Sequence, residues 1–261
     1  MRKTIVTIAA LCLFAMVTLA QKTIRVAAGK TDLVMQVSPK GRLYQVYLGE
    51  KLQNATDYDQ LKWDVYAASD GAVCQRGHEV CATSGAEDFF EPALAITHAD
   101  GNMTTYLYFQ SVEQKPVEGG AETIITLADK EYPVTVKLHY VAYPKQSVIK
   151  AWSEVTHKEK APITLWRYAS TMLYFKSAKY FVTTYHSDWA KEGQPETTQL
   201  ISGKKIVDTK LGTRAAMQEE PFFELGFDAP ARENEGRVML GTIGWTGNFR
   251  FTFEVDNVGA L

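Results

Sequence analysis

Cysteine is scarce in this chain: Cys12, Cys74 and Cys81 are the three present, too few for the dense cross-linking of a small secreted scaffold. The five histidines, His78, His98, His139, His157 and His186, are dispersed. No pair has the spacing that puts two ligands on one face, so no metal centre and no cofactor are expected. A serine nucleophile in the Gly-x-Ser-x-Gly setting is also missing. Basic charge is not in excess, with 28 Lys and Arg against 30 Asp and Glu, which argues against a nucleic-acid partner. There is no low-complexity linker and no internal repeat, which excludes a solenoid. No sustained helical period with caps at both ends occurs, which excludes an alternating α/β chain.

One long apolar run is present, and it lies at the very start. Arg2 and Lys3 precede an unbroken stretch from Ile5 to Ala20, where Thr18 and Ala20 are small enough for cleavage. Residues 1–20 are therefore expected to be a secretory signal peptide, cut before Gln21. A membrane span is the rival reading, but the run is barely long enough and no positive stop-transfer cluster follows. Cys12 lies inside the run with Leu11 before it, which is the wrong setting for a lipid anchor. The mature chain is then exported, periplasmic or extracellular, with no membrane attachment. Losing Arg2 and Lys3 leaves it with 26 basic residues against 30 acidic ones.

Export places Cys74 and Cys81 in an oxidising compartment. In CQRGHEVC, Gly77 permits a turn that would let the two approach, so a short-loop disulfide and two free thiols both stay open. A zinc site is one ligand short, since only His78 lies between them.

Alternation dominates the rest. In YPVTVKLHY (Tyr132–Tyr140), Val134, Val136, Leu138 and Tyr140 fall on one face and Thr135, Lys137 and His139 on the other, the period of a half-buried strand. Strands are expected likewise at Val34–Val37, Thr104–Phe109, Thr123–Leu127, Val148–Val155, Ile163–Tyr168, Val238–Trp245 and Phe249–Val255. Turn signals separate them: Asp100-Gly101-Asn102, Gly119-Gly120, Ala229-Pro230 and Thr246-Gly247-Asn248. Thirteen Tyr, twelve Phe and five Trp supply core bulk. The expected fold is all-β, a large antiparallel β-sandwich of the supersandwich kind, forming one domain over residues 21–261. The final strand, FRFTFEV, runs into six residues and stops, which suggests truncation before another domain.

Several ordered segments together resemble the N-terminal domain of family 36 glycoside hydrolases, the α-galactosidase family. GAEDFFEPALAITHADGNMTTYLYFQS (Gly85–Ser111) resembles the stretch in which an Asp-Phe-Arg-x-Pro-Ala motif leads into a strand, a turn and an aromatic strand. HYVAYPKQSVIKAWSEVTHKEKAPITLWRYASTMLYF resembles the strand run that follows. HSDWAKEGQPETTQL is similar to a Gly-x-Trp-x-Arg-Glu-x-x-Pro turn, matching at Trp189, Glu192 and Pro195 with Lys191 in the Arg place. IGWTGNFRFTFEVDNVG resembles a Tyr-Ser-Gly-Asn-Phe strand pair. Two departures stand out: Phe90 replaces the Arg of the first motif, and LGTRAAMQEEPF lacks the Ser-Ser-His that commonly precedes Pro-Phe.

The resemblance implies retaining hydrolysis of α-galactosides by two carboxylates about 5–5.5 Å apart, both on a following (β/α)8 barrel. Such a barrel takes about 250 residues of alternating strand and helix, which this chain lacks, so no catalytic residue is expected here. Lys62-Trp63-Asp64 and Ser69-Asp70 echo barrel motifs, but they fall a few positions apart in a β region. They are taken as coincidence, with Trp63 and Val65 inward and Asp64 solvated. Within the family, loops of this domain approach the barrel mouth, sometimes from a neighbouring subunit, which implies a homo-oligomer. Asp88 is the leading sugar-contact candidate, against a plain surface acid. Phe89, Phe90 and Trp189 could cover a pyranose face, against a packing role that is the stronger reading for Trp189. Glu219-Glu220 and Glu233-Asn234-Glu235 are taken as solvated turns without a role. The function expected is a non-catalytic, carbohydrate-associated domain assisting pocket closure and oligomer contact; the alternative is a free-standing secreted carbohydrate-binding module.

Overall fold

The computed structural model describes residues 22–61, 78–85, 91–256 and 259–261. The expected signal peptide, Cys74, and the Lys62–Asp64 and Ser69-Asp70 echoes lie outside them, as do Asp88, Phe89 and Phe90. Among the described residues the strands run β1 (Lys22–Ala28), β2 (Thr31–Val37), β3 (Leu43–Glu50), β4 (Leu94–Thr97), β5 (Tyr108–Val117), β6 (Gly120–Ala128), β7 (Val134–Tyr143) and β8 (Val148–His157). There follow β9 (Thr164–Tyr168), β10 (Tyr180–His186), β11 (Gln194–Leu200), β12 (Gly203–Thr209), β13 (Glu219–Arg232), β14 (Glu235–Thr242) and β15 (Phe249–Val255). Among the described residues helix is confined to one turn at Asp57–Gln60 and a 3-10 helix at Gly212–Met217, and none of it is long and apolar enough to cross a membrane. The fold is all-β, and every ladder between these strands is antiparallel.

The strands form sheets ordered β1-β2-β3, β5-β6-β7-β8, β4-β9, β11-β10-β13-β14 and β12-β15. Alternation decides which face is covered. On β7, Val134, Val136, Leu138 and Tyr140 are buried as the period requires. His139, expected to face water, is buried too: its Nδ1 lies 2.8 Å from Glu122 Oε1 and its ring stacks on Trp152 at 4.6 Å. A polar side chain is tolerated at that depth when it is hydrogen-bonded.

Two hydrophobic cores result. The first gathers residues of β1 to β7, among them Met35, Ile96, Ile125 and Val136. The second gathers Tyr180, Val182, Leu225, Phe249 and Phe253 from β10, β13 and β15. Polar contacts tie Tyr174, the residue before Phe175 that packs against the second core, to β3 and Glu79. Gln45 Nε2 donates to the Tyr174 carbonyl at 2.7 Å while its Oε1 accepts the Tyr174 N–H at 3.2 Å, and the Tyr174 hydroxyl donates to the Glu79 carbonyl at 2.8 Å.

The expected turn at Ala229-Pro230 is instead part of β13. Proline cannot donate to a ladder, so the chain bulges there: Asp228 takes φ 69° and the register against β14 shifts between Phe227 and Arg232.

Candidate functional site

The segment expected to touch sugar, residues 86–90, lies between two described anchors. Gly85 adopts φ +77°, and a Cβ there would stand 2.5 Å from Thr104 Oγ1 and 2.9 Å from the Thr104 Cα. Only glycine fits such a position. Its carbonyl accepts the Tyr106 hydroxyl at 3.3 Å. Tyr106 and Tyr108 flank the Arg42 guanidinium, whose carbon lies 5.3 and 5.4 Å from their ring centres. Arg42 in turn grips Glu79 through Nε at 2.6 Å and Nη2 at 2.7 Å, a two-pronged pair of the strong kind. Burial lowers the Arg42 pKa, but the Glu79 carboxylate outweighs it and the guanidinium stays charged.

The second anchor is Glu91. Its N–H donates to Glu254 Oε2 at 2.9 Å, and its carboxylate is paired with both Arg167 and Lys204. Arg167 is on β9, whereas Lys204 and Glu254 are on β12 and β15, so this hub joins strands from both cores. Burial raises the Glu254 pKa against the opposing pull of Lys204 and Arg167.

Trp189 lies elsewhere, in the turn between β10 and β11, and it is 87% exposed. Among the described residues the indole packs against little, being left almost wholly exposed. It borders an open cleft of about 420 Å3, lined by Ser187, Asp188, Trp189, Glu192, Arg214, Met217 and Glu220. The turn holds its shape through Asp188, whose Oδ1 accepts the Trp189 N–H at 2.7 Å and whose carbonyl accepts the Lys191 N–H at 3.0 Å. Ala190 and Gly193 take φ 56° and 66°. At the cleft floor Ser187 Oγ donates to Glu220 Oε1 at 2.7 Å. Glu219 and Glu220, expected in a solvated turn, instead open β13, and Glu220 reaches the cleft. Ser187, Arg214 and Met217 had no local signal, because the cleft is assembled from segments nearly thirty positions apart in the chain (Ser187 and Arg214).

Cys81 is a free, buried thiol, and burial and the Glu79 charge push its pKa up to about 12. Its expected partner Cys74 lies outside the described residues. Three histidines are held by glutamates: His98 by Glu159 at 2.8 Å, His139 by Glu122 at 2.8 Å, and His186 by Glu196 at 2.6 Å and Glu219 at 3.1 Å. Among the described residues no group of His, Cys, Asp and Glu is arranged to hold a metal ion. The cleft thus offers an aromatic wall, carboxylate acceptors and one guanidinium donor, which is the chemistry of binding.

Comparison with known proteins places this geometry. Alpha-galactosidase AgaA of Geobacillus stearothermophilus is 26% identical over 260 residues, covering 91% of this chain and 35% of its own length. Alpha-galactosidase 2 of Pediococcus pentosaceus is 24% identical over 189 residues, covering 67% of this chain and 26% of its own. The crystal structure of AgaA in complex with raffinose matches with a TM-score of 0.81 at 24% identity, over 92% of this chain and 36% of that one. The α-galactosidase from Lactobacillus brevis matches with a TM-score of 0.82 at 21% identity, over 93% and 36%. At these identities the structural likeness speaks for the fold. The chain spans about a third of the length of AgaA. A model of the glycosyl hydrolase family 36 N-terminal domain covers residues 41–261, and the chain belongs to that family through this domain.

Proposed function

We propose that this chain is the non-catalytic, carbohydrate-associated N-terminal domain of an exported α-galactosidase-like hydrolase. The observation that carries the reading is the extent of the match: nearly the whole chain corresponds to an N-terminal part of α-galactosidases about three times as long. The two carboxylates of retaining hydrolysis would then belong to a barrel partner. This domain would close the substrate pocket with Asp88, Phe89 and Phe90, and make contacts between copies in a homo-oligomer. Two observations support a positional role for that segment. A side chain at Gly85 would meet Thr104, and Glu91 is tied to strands of both cores. Export rests on the charged and apolar leader at residues 1–20.

The test joins the chain to a family 36 barrel and compares Asp88→Ala with the parent on an α-galactoside. A fall in kcat/KM of about tenfold or more is expected for a lost polar contact to substrate. Unchanged kcat/KM would remove Asp88 from the pocket. The unjoined chain should leave the same substrate intact, and turnover by it would overturn the non-catalytic assignment.

A further inference from the structure

We infer that His98 is a positioning residue: through the Thr105 hydroxyl it fixes the stretch of chain on which Gly85 rests, and so the point from which residues 86–90 depart. The use of those residues at a sugar rests on the reading above; the tie itself rests on buried contacts within this chain. The His98 side chain is fully buried where three loops meet. Its Nδ1 lies 2.8 Å from Glu159 Oε1, in the loop between β8 and β9, and its Nε2 lies 2.9 Å from Thr105 Oγ1, shortly before β5. Its ring stacks on Tyr132, between β6 and β7, with ring centres 3.6 Å apart. Glu159 Oε2 accepts the Ala99 N–H at 2.8 Å, so one carboxylate holds both the imidazole and the backbone beside it. Burial raises the Glu159 pKa, but the hydrogen bonds from His98 and the Ala99 N–H outweigh it and hold the carboxyl below its ordinary range.

The partners decide which nitrogen carries the proton. A carboxylate only accepts, so Nδ1 donates to Glu159 and Nε2 is left to accept the Thr105 hydroxyl. Among the described residues Thr105 Oγ1 has no other hydrogen-bond partner, and this direction satisfies every polar atom of the line. Carboxylate, imidazole and hydroxyl stand in the order of a hydrolytic triad, but Thr105 is 1% exposed and its hydroxyl is out of reach of a substrate. What the line governs is geometry. The Thr105 N–H donates to the Ser84 carbonyl at 3.3 Å, and the Thr105 carbonyl accepts the Thr83 hydroxyl. Ser84 Oγ donates to the Met103 carbonyl at 2.9 Å, and the Tyr106 hydroxyl donates to the Gly85 carbonyl at 3.3 Å. Residues 83–85 therefore lean on residues 103–106, and Thr105, in the middle of that support, is held from behind by His98. A rotamer locked by a buried hydrogen-bonded line is how a fold keeps a distant contact in place.

The experiment uses the purified, 15N-labelled full chain and compares it with Thr105→Val, which keeps the shape and removes the hydroxyl, and Thr105→Ser, which keeps the hydroxyl. Long-range 1H–15N spectra, recorded where the His98 ring is neutral, should show the Nδ1–H tautomer with Nε2 as a bare acceptor; the Nε2–H tautomer, which a free imidazole prefers, would overturn the line. Amide hydrogen exchange at Ser84 and Thr105 should quicken by about tenfold or more in Thr105→Val, stay within about threefold of the parent in Thr105→Ser, and be unchanged at Ile125 on β6 in both. Unchanged exchange in Thr105→Val, an equal loss in Thr105→Ser, or a loss shared by Ile125 would overturn the positioning role. In the chain joined to a family 36 barrel, Thr105→Val should raise KM for an α-galactoside severalfold with kcat little changed. Full activity in Thr105→Val beside a defective Asp88→Ala would overturn the inference. Full activity in both, with exchange at Ser84 and Thr105 still quickened, would leave the His98 tie standing and remove the sugar reading instead.

Discussion

Replacing Gln45 with leucine asks whether the two hydrophobic cores fold as one unit. The substitution keeps the volume of the side chain and removes its amide. That amide makes two hydrogen bonds to the backbone of Tyr174, at 2.7 and 3.2 Å, in a region where Gln45 is 4% and Tyr174 6% exposed. Each buried backbone group that loses a partner destabilises by about 1–3 kcal/mol. The added apolar surface of leucine returns about 1 kcal/mol, so the net loss from the two groups is about 1–5 kcal/mol. For a chain of this size that lowers Tm by about 2–20 °C. Calorimetry and urea melts, followed by both circular dichroism and tryptophan fluorescence, should show a single transition moved as a whole. Leu225→Ala, which empties a site 1% exposed in the second core, removes about 2–5 kcal/mol and should move that same transition. A fall of less than about 2 °C for Gln45→Leu, or two transitions of which Leu225→Ala moves one alone, would refute the single-unit argument.

Gly85→Ala should destabilise by about 2 kcal/mol or more, since it adds a left-handed strain of about 1–2 kcal/mol to a clash with the Thr104 backbone; an unchanged urea midpoint would contradict the geometry. Glu122 is held below the ordinary carboxylate range by its hydrogen bonds from His139 and Lys115. A depressed carboxylate stabilises the fold above its unfolded pKa of about 4.3, and that stability is lost as pH falls through the folded value. Glu122→Gln should therefore flatten the decline in stability on the acid side of pH 5 and leave the slope at neutral pH alone; parallel curves across urea melts from pH 3 to 7 would count against it.

Strands such as β6 and β15 are legible because one face is covered and the other wet, whereas β9 is legible from its residue types although it is exposed at Thr164, Leu165, Trp166 and Tyr168. β15 coincides with its expected span, and β6, β7, β8 and β9 fall within a few residues of theirs. β2 is buried along nearly its whole length and so shows little alternation, which is why only its end stood out. β11, with the sequence QPETTQL, lies at the edge of its sheet and carries no apolar face to recognise. The Thr104–Phe109 run was placed too early, because β5 begins at Tyr108 and Thr105 and Leu107 are buried before the ladder starts. The exposure of Trp189 was not legible at all: a tryptophan in a polar turn has the same local pattern whether it packs or stands in water. Likewise Glu220 and Arg214 acquire meaning only when β13 and the 3-10 helix bring them to one cleft.

The two candidate sugar contacts depend on the fold in different ways. The Asp88 segment leaves from Gly85, whose neighbour Thr104 precedes β5 in the first half of the chain, and returns at Glu91, whose partners Lys204 and Glu254 belong to the second. Its two described ends are therefore tied to strands of different cores. The Trp189 cleft is built from residues 187–220 and requires only the sheet around β10 and β13 with the 3-10 helix beside it. Loosening the link at Gln45 should accordingly disturb whatever Asp88 does while leaving the Trp189 indole and its surroundings in place.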